Sequence, residues 1–255
     1  SMPLWAWGAF FAFITAMLAL DLGVLQRDSH AVSVKEAVVW CVVWLSLALG
    51  FNALLLHWRG PEVAQQFLAA YLVELSLSVD NVFIFILIFA HFQVPPRFQH
   101  RVLFWGIIGA VVMRAVFILV GVAVIHRFHW VLYLFGAFLV FTGIKMLLTI
   151  NAKPDLANNR VVLFLRRRFR VTEDFVGNRF FVRRDGLLYM TPLMLVLILV
   201  EVTDLVFAVD SIPAIFAITT DPFIVLTSNI FAILGLRAMY FLLAGMHERF
   251  HLLSY

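Results

Sequence analysis

The sequence predicts an all-α polytopic membrane protein, on the basis of its composition, its long apolar segments and the distribution of its basic residues. The chain is 64% hydrophobic and only 13% charged, whereas a soluble domain is about half apolar and about a quarter charged. The single cysteine, Cys41, lies in an apolar segment, which excludes a disulfide framework and a thiolate metal cluster. The high pI does not indicate nucleic-acid binding, because the positive charge is sorted by loop.

Seven segments are apolar over the roughly 20 residues that a helix needs to cross the hydrocarbon of a bilayer. The sixth is too long for one straight crossing and contains Pro213, which removes a backbone donor and is expected to break the helix. The predicted transmembrane helices are Leu4–Leu25, Ala37–Leu56, Phe67–Phe89, Val102–Ile125, Val131–Ile150, Leu187–Ile218 and Phe223–Met246.

The basic residues are concentrated in alternate loops. Of the 19 Lys and Arg residues, 14 lie in the loops after spans 1, 3, 5 and 7, whereas only Arg59 and Arg127 lie in the loops on the other side. Loops rich in Lys and Arg face the cytoplasm. We therefore expect the N-terminus outside the cell and the basic loop at residues 151–186 in the cytoplasm.

The basic loop contains two local signals. Arg166, Arg167 and Arg168 follow one another in "LRRRFR", where they would either bind anionic lipid headgroups or serve only to fix the topology. Asp185 and Gly186 form a dipeptide that suits a tight hairpin turn. We predict a turn at this dipeptide.

Two segments of the chain resemble each other and carry acids at matching positions. In "LSVDNVFIF" and "FAVDSIPAIF", Asp80 matches Asp210. Six residues before each aspartate lies another acid, Glu74 or Asp204, so the offset is 130 residues for both pairs. Spans 3 and 6 cross the membrane in opposite directions, which indicates an inverted repeat with a binding site between its halves.

The repeat extends further along the chain and defines the organisation of a single transmembrane domain. "RAVFILVG", which starts at Arg114, resembles "RAMYFLLAG", which starts at Arg237. A three-helix unit would need an eighth span in its second copy, so we expect this sequence to be C-terminally incomplete. The predicted parts are two N-terminal spans (4–57), repeat one (67–150), the basic loop (151–186) and an incomplete repeat two (187–255).

The acids inside the spans are the strongest functional signal in the sequence. Ionisable groups within a membrane are costly and usually mark an ion or proton pathway. The alternative is that they pair with the arginines of the spans and only hold helices together, but there are five acids and two such arginines. We favour a cation pathway. The acids are Glu74, Asp80, Glu201, Asp204 and Asp210, and their candidate charge partners are Arg114 and Arg237.

The residues beside the acids supply neutral oxygens. Asn81 and Ser211 follow the matched aspartates. Asp204 and Asp210 lie about 120° apart on a continuous helix, so they would converge only if the helix unwinds near Pro213. An oxygen-only ligand set suits Mg²⁺, Ca²⁺ and Mn²⁺ rather than Cu, Zn or Ni. Carboxylates that lose protons on binding metal also provide a route to proton antiport.

With these residues identified, the sequence resembles the TerC family of integral membrane proteins, and within it the Alx-type manganese exporters. The resemblance covers nearly the whole chain. It is carried by "ELSLSVDNVF", "LFGAFLVFTGIKM", "LRAMYFLLAG" and the long block "FFVRRDGLLYMTPLMLVLILVEVTDLVFAVDSIPAIFAITTDPF".

The resemblance implies a protein of the bacterial inner (plasma) membrane, related to the LysE-like transporters, that exports Mn²⁺. It implies no enzymatic activity and no organic cofactor; Mn²⁺, or Ca²⁺ as an alternative, is the transported substrate. The family is named for tellurium resistance, but a tellurite oxyanion would need a cationic site. The membrane acids of the family fall on Glu74, Asp80, Glu201, Asp204 and Asp210, with Asn81 and Ser211 beside them.

Three further features allow a functional and a simpler interpretation. Asp21 is either a cytoplasmic entry ligand or an interfacial acid that reaches water. Lys145 either contributes to the site or extends its amine to the interface. "HERFH", from His247 to His251, matches a zinc-protease pattern, but we interpret it as an interfacial polar cluster that ends a helix.

Three competing functions therefore remain. The first is transport of Ca²⁺ or another hard cation, and the second is an intramembrane zinc protease that uses HERFH. The third is a membrane partner without transport activity, acting in tellurite resistance or in metalation of secreted proteins. The sequence leaves the oligomeric state and the ion selectivity open.

Overall fold

The computed structural model describes residues 3–25, 33–148 and 159–253; the side chains of residues 21–25, 146, 210 and 247–253 lie outside the described part. Within it, the chain forms helices and one two-stranded sheet. The helices are α1 (Leu4–Leu25), α2 (Val34–Arg59), α3 (Pro61–His91), α4 (Pro96–Arg127), α5 (Val131–Leu148), α6 (Arg160–Arg168), α7 (Pro192–Phe216), α8 (Pro222–Leu234) and α9 (Leu236–Leu253), and the strands are β1 (Phe181–Arg184) and β2 (Leu187–Met190).

The prediction of an all-α polytopic membrane protein is confirmed. In the described ranges, five helical segments are long and apolar enough to cross a membrane: α2, α3, α4, α7, and α8 continued into α9. Two further apolar segments, in α1 and α5, are shorter. The count of seven spans and the inverted repeat stay predictions.

Two predictions about the sixth span are wrong. Leu187–Met190 forms β2 instead of helix, and α7 begins only at Pro192. Pro213 does not break α7, which continues to Phe216. Proline removes one backbone donor, and at three residues from the helix end this loss is confined to the last turn. Asp204 and Asp210 therefore stay about 120° apart on one continuous helix.

The predicted hairpin turn is confirmed. Asp185 has φ 53° and Gly186 has φ 75°, which are the positive values that a two-residue type I′ turn requires. The hairpin and the residues that lead into it (171–190), which we call the hairpin segment, lie against the start of α4. There the Arg101 guanidinium stacks over the Phe180 ring at 4.6 Å. Phe98 and Phe175 lie 6.3 Å apart in the same region.

Local signals fix the ends of the long helices. Proline stands in the first turn of α3, α4, α7 and α8, where its missing N–H costs no hydrogen bond. Ser33 caps α2 by accepting a hydrogen bond from the Glu36 amide at 3.2 Å. Gly60, with φ 95°, is the single residue between α2 and α3, so the chain reverses there very tightly.

Helix α8 lies at the centre of the bundle. Each residue from Phe223 to Leu234 is buried, and α8 contacts α2, α3 and α4. Helices α3 and α4 also contact α7. Polar side chains on the facing sides of α3, α4, α7 and α8 therefore meet inside the bundle.

The two ends of the bundle are distinct. Gln93 of the α3–α4 connection and Gln99 in the first turns of α4 lie near Tyr240 of α9. The hairpin segment lies at this end as well. We call it the basic end. A cavity lies at the other end of the bundle. It is lined by Arg59 of α2, His126 of α4 and Asp221 of the α7–α8 connection, and we call this the opposite end.

Candidate functional site: a buried charge cluster

Two helices, α3 and α7, present polar residues on their inner faces at helical spacing. On α3, Glu74, Ser78 and Asn81 are separated by four and three residues, so they share one face. On α7, Asp204 and Ser211 are seven residues apart and also share a face. All five are buried.

Arg114 of α4 joins the acids of the two matched segments. Its Nη1 donates to Glu74 Oε2 at 3.1 Å, and its Nη2 donates to Asp204 Oδ1 at 2.9 Å. Its Nε donates to Asp204 Oδ2 at 3.5 Å, a longer contact. Because all three side chains are almost wholly buried, this is a desolvated ion triad with one more carboxylate than guanidinium.

Two asparagine amides complete what we call the buried charge cluster: Glu74, Asn81, Arg114, Asp204 and Asn229. Asn81 Nδ2 donates to Asp204 Oδ1 at 3.1 Å. Asn229 Nδ2, from α8, donates to Glu74 Oε1 at 3.0 Å. The cluster therefore links α3, α4, α7 and α8, and each carboxylate accepts hydrogen bonds from two different side chains.

Several oxygens beside the cluster have no hydrogen-bond partner among the described residues: Asn81 Oδ1, Asn229 Oδ1 and Ser211 Oγ. Leaving a buried acceptor unpaired is costly. Glu74, Asn81, Arg114 and Ser211 line a cavity of ≈ 10 Å³, which is about the volume that one water or small ion needs. The cluster thus combines negative charge, unpaired oxygens and a small space.

Glu201 lies outside the cluster but close to it in the chain. It stands three residues before Asp204 on α7, is half-buried, and its carboxylate packs against Gly109 of α4 so tightly that a Cβ at residue 109 would overlap it. Its buried Oε2 also has no hydrogen-bond partner in the described part of the chain. The small residue on α4 therefore creates the space that Glu201 occupies.

The remaining predicted acids are not brought to the cluster by any described contact. Asp80 is exposed on the outer face of α3, because it lies six residues after Glu74 and therefore about 120° away around the helix. Asp21 and Asp210 lie on α1 and α7, but their side chains are outside the described residues, as are those of the HERFH motif.

The basic residues predicted to act at the site lie in different environments. Arg114 forms ion pairs with Glu74 and Asp204, so the pairing that the alternative requires is present for these two acids. Arg237 is buried and lies 2.9 Å from His100 Nδ1, near the basic end. Lys145 is exposed on α5.

The acids do not form a preformed metal cage in this structure. Among the described residues, no group of three His, Cys, Asp or Glu side chains is placed to hold a metal ion. The guanidinium of Arg114 instead lies between Glu74 and Asp204. A cation could use both carboxylates only if Arg114 moves.

A polar cavity lies at each end of the bundle. At the opposite end, a cavity of ≈ 800 Å³ is lined by Arg59, His126, Thr219 and Asp221, with Arg59 and Asp221 paired at 3.4 Å. At the basic end, a cavity of ≈ 520 Å³ is lined by polar and aromatic residues: Gln93, Gln99, His100, Tyr240 and Phe241.

The sequence analysis missed Asn229 and Ser78. Asn229 ends the polar run "TSN" inside an otherwise apolar span, which is a usable signal, because an amide buried in a membrane helix needs a partner. Ser78 donates to the backbone carbonyl of Glu74 at 2.7 Å. Its seryl side chain carried no such signal, since serine often bonds the preceding turn of its own helix.

Comparisons with known proteins agree with the family resemblance. Residues 59–255 match the family described as "Integral membrane protein TerC family". The chain is 53% identical over 259 residues to the "Putative membrane-bound redox modulator Alx" of Escherichia coli K12, covering 98% of this chain and 80% of the relative. No solved structure matches the chain.

Two further relatives are similar over nearly the same length. The "Uncharacterized membrane protein STKORF319" of Myxococcus xanthus is 52% identical over 248 residues, 97% of this chain and 78% of the relative. The "Uncharacterized membrane protein RC1219" of Rickettsia conorii is 42% identical over 250 residues, 98% of this chain and 83% of the relative. By the family match and by these relatives, the chain belongs to the TerC family of integral membrane proteins.

Proposed function

We propose that this protein exports a divalent metal cation across the bacterial plasma membrane, with Mn²⁺ as the cargo and Ca²⁺ or another hard cation as the alternative. The buried charge cluster is the observation that supports this most. The cluster holds two carboxylates, and Glu74, Asn81 and Ser211 line a cavity of ≈ 10 Å³; the Asn81 Oδ1 and Ser211 Oγ atoms have no hydrogen-bond partner among the described residues. Such groups inside a membrane bundle are costly and usually serve ion passage.

The chemistry of these groups favours a hard cation. Carboxylate, amide and hydroxyl oxygens are ligands of Mg²⁺, Ca²⁺ and Mn²⁺, whereas thiolates and imidazoles favour softer metals. Among the residues that line the cavity, Glu74, Asn81 and Ser211 carry carboxylate, amide and hydroxyl oxygens. A tellurite anion would meet an excess of carboxylate over guanidinium there.

The cavities at the two ends support a pathway through the bundle. In this proposal the cation enters from the cytoplasm through the cavity at the basic end, which Gln93, Gln99 and His100 line. It leaves through the cavity at the opposite end, beside the Arg59–Asp221 pair. Proton antiport would follow from the same carboxylates, because they bind either a proton or a metal.

The inverted repeat gives a reason for the position of the cluster. Glu74 and Asp204 are 130 residues apart in the matched segments, and both bind Arg114. A site between the halves of an inverted repeat opens to one side and then to the other when the halves rock. Glu201 would lie beside the cluster on this path, whereas a role of Asp80, Asp210 and Asp21 in ion passage stays a prediction of the sequence.

The cytoplasmic orientation of the basic end also suggests a lipid partner. Arg166, Arg167 and Arg168 are exposed on α6, and Phe164 on the same helix is 59% exposed. Exposed arginines beside an exposed aromatic ring are typical of a helix that lies on anionic lipid. A Phe164→Trp variant should show fluorescence quenching by brominated anionic lipid, and a Trp at the exposed turn residue Asn178 should show much less.

The other functions find less support. A redox role by thiol exchange within residues 1–255 has no second cysteine to use beside Cys41, although a relative carries the word "redox" in its name. A partner role without transport would not need unpaired oxygens around a cavity. We therefore place tellurite resistance and metalation of secreted proteins downstream of metal export.

The direct test is Mn²⁺ flux into proteoliposomes that contain the full-length natural protein. Wild type is compared with Glu74→Gln and Asp204→Asn, and with Arg127→Gln as a control that removes an exposed charge at the end of α4. Competition with Ca²⁺ and Mg²⁺ measures selectivity. We expect Mn²⁺ flux in wild type and in the control, and none in the two cluster variants.

Each other result has a definite meaning. If flux persists in both cluster variants, the transported ion does not bind at the buried charge cluster. Flux of Ca²⁺ in preference to Mn²⁺ would change the cargo but keep the mechanism. A wild-type protein that moves no cation would refute transport and leave the partner role.

A further inference from the structure

We propose that Arg114 is an internal cation that occupies the empty binding site, and that the cargo cation displaces its guanidinium toward Glu201. This inference rests on the proposed function, because it concerns how the same site is filled and emptied. It starts from the contacts of Arg114, which donates to Glu74 and to both oxygens of Asp204. The guanidinium stands where a metal bridging these two carboxylates would have to stand.

The charges of the surrounding residues match a divalent cargo. When ionised, Glu74, Asp204 and Glu201 carry three negative charges, and Arg114 carries one positive charge. The four side chains thus leave a net charge equal and opposite to that of one divalent cation. A buried charge without compensation costs several kcal/mol, so a site that holds both Arg114 and the metal is neutral only if Glu201 takes part.

Glu201 is placed to receive the displaced guanidinium. Its Oε2 is buried and has no hydrogen-bond partner among the residues the structure describes, and its carboxylate packs against Gly109. Gly109 precedes Arg114 by five residues on α4, a rise of about 7.5 Å. Gly109 and Arg114 are about 140° apart around α4, so the guanidinium would reach Glu201 by way of Asp204, which stands three residues after Glu201 on α7 and already accepts a hydrogen bond from Arg114.

The amides of the cluster can follow the exchange without backbone movement. Asn81 and Asn229 now direct their NH₂ groups at Asp204 and Glu74, and their oxygens have no partner in the described part of the chain. An amide presents either a donor or an acceptor at nearly the same position when it rotates by half a turn. After the guanidinium leaves, such a rotation turns both asparagines into oxygen ligands.

Arg114 therefore competes with the cargo, and removing it should have the opposite effect of removing a ligand. For the full-length protein in detergent, Mn²⁺ affinity is measured by titration with detection of free Mn²⁺. We expect Arg114→Gln to bind Mn²⁺ about tenfold more tightly than wild type, in the range of coupling between contacting residues. Its flux in proteoliposomes should fall, because nothing displaces the ion again.

Glu201 provides the second arm of the test. We expect Glu201→Gln to weaken Mn²⁺ binding about tenfold, because the displaced guanidinium loses its partner. In Arg114→Gln/Glu201→Gln there is no guanidinium to receive, so its affinity should equal that of Arg114→Gln alone. This non-additivity is specific for the exchange. The control Arg127→Gln, at an exposed residue, should keep wild-type affinity.

The outcomes separate this inference from the proposed function. If wild type binds no divalent cation, both fail. If wild type binds Mn²⁺ but folded Arg114→Gln binds it more weakly, Arg114 is a structural support and the inference alone is overturned. If Arg114→Gln does not fold, Glu201→Gln decides, since it leaves every hydrogen bond of the cluster in place; unchanged affinity in that variant also overturns the exchange.

Discussion

The inner and outer faces of α3 carry acids only six residues apart, yet their environments are opposite. Glu74 on the inner face is 1% exposed and accepts hydrogen bonds from Arg114 and Asn229. Asp80 on the outer face is exposed and has no described contact with the cluster. Both residues belong to the same repeated motif, so membership of the motif does not determine burial. Position around the helix axis determines it.

The largest expected effect belongs to the inner face. Glu74→Gln removes one of the two carboxylates that pair with Arg114 and leaves the guanidinium charge less compensated. Breaking a buried pair in this way lowers the free energy of unfolding by about 3–5 kcal/mol. We expect Mn²⁺ affinity to fall at least about 100-fold, as for the loss of an ionised ligand worth ~3 kcal/mol. Titration and thermal unfolding of the same preparation measure both effects, and normal affinity with lowered stability would assign Glu74 a structural role only.

A smaller effect is expected at Asn229, which no motif of the repeat contains. Asn229→Ala removes the amide that donates to Glu74 at 3.0 Å. The loss of one buried hydrogen bond to a charged group costs about 1.5–3 kcal/mol, so Mn²⁺ affinity should fall roughly 10- to 100-fold. Thr227→Ala is the matched control on α8, since the Thr227 hydroxyl only bonds its own helix at Phe223. An equal loss in both variants would indicate a general defect of α8.

A third variant tests whether Glu201 acts through its position. Gly109→Ala places a methyl group against the Glu201 carboxylate, and overpacking of this kind costs about 1–3 kcal/mol. We expect a severalfold loss of Mn²⁺ flux with little change in expression. Gly136→Ala is the control, because a Cβ there meets nothing within 4 Å. If both substitutions lower the flux equally, the effect of Gly109→Ala does not depend on Glu201.

The smallest effect on binding is expected at the outer face. Asp80→Asn removes a charge that touches no member of the cluster, so Mn²⁺ affinity should change less than about threefold, which corresponds to under 1 kcal/mol. Flux should fall more than affinity, since a charged residue in a span is kept for function. A loss of affinity as large as that of Glu74→Gln would make Asp80 a ligand and erase the contrast between the two faces.

The sequence was sufficient for the fold class and for much of the site. Hydrophobic length located the long helices, since Val102–Ile125 lies within α4 and Phe67–Phe89 within α3. The repeat located Glu74 and Asp204, and the arginine inside a span was recognised as a partner. Composition alone could not separate β2 from the start of α7, because Leu187–Met190 is as apolar as the helix that follows.

Other features depended on packing that sequence patterns do not contain. Asn229 is a ligand candidate only because α8 lies at the centre of the bundle, next to α3. The role of Gly109 depends on the contact between α4 and α7, which are far apart in the chain. Pro213 was given too much weight, since a proline in the last turn of a membrane helix is tolerated when neighbouring groups satisfy the backbone.

The enclosure of α8 has a consequence for biogenesis. Phe223–Leu234 is surrounded by protein on every side, yet its residues are apolar enough to enter a bilayer as part of a span. In the two-stage description, helices insert individually and associate afterwards. Helix α8 is synthesised after α2, α3 and α4, so these must remain open until it arrives. On that description Asn229 pairs with Glu74 only once α8 has docked, so this hydrogen bond stabilises the correct position of α8.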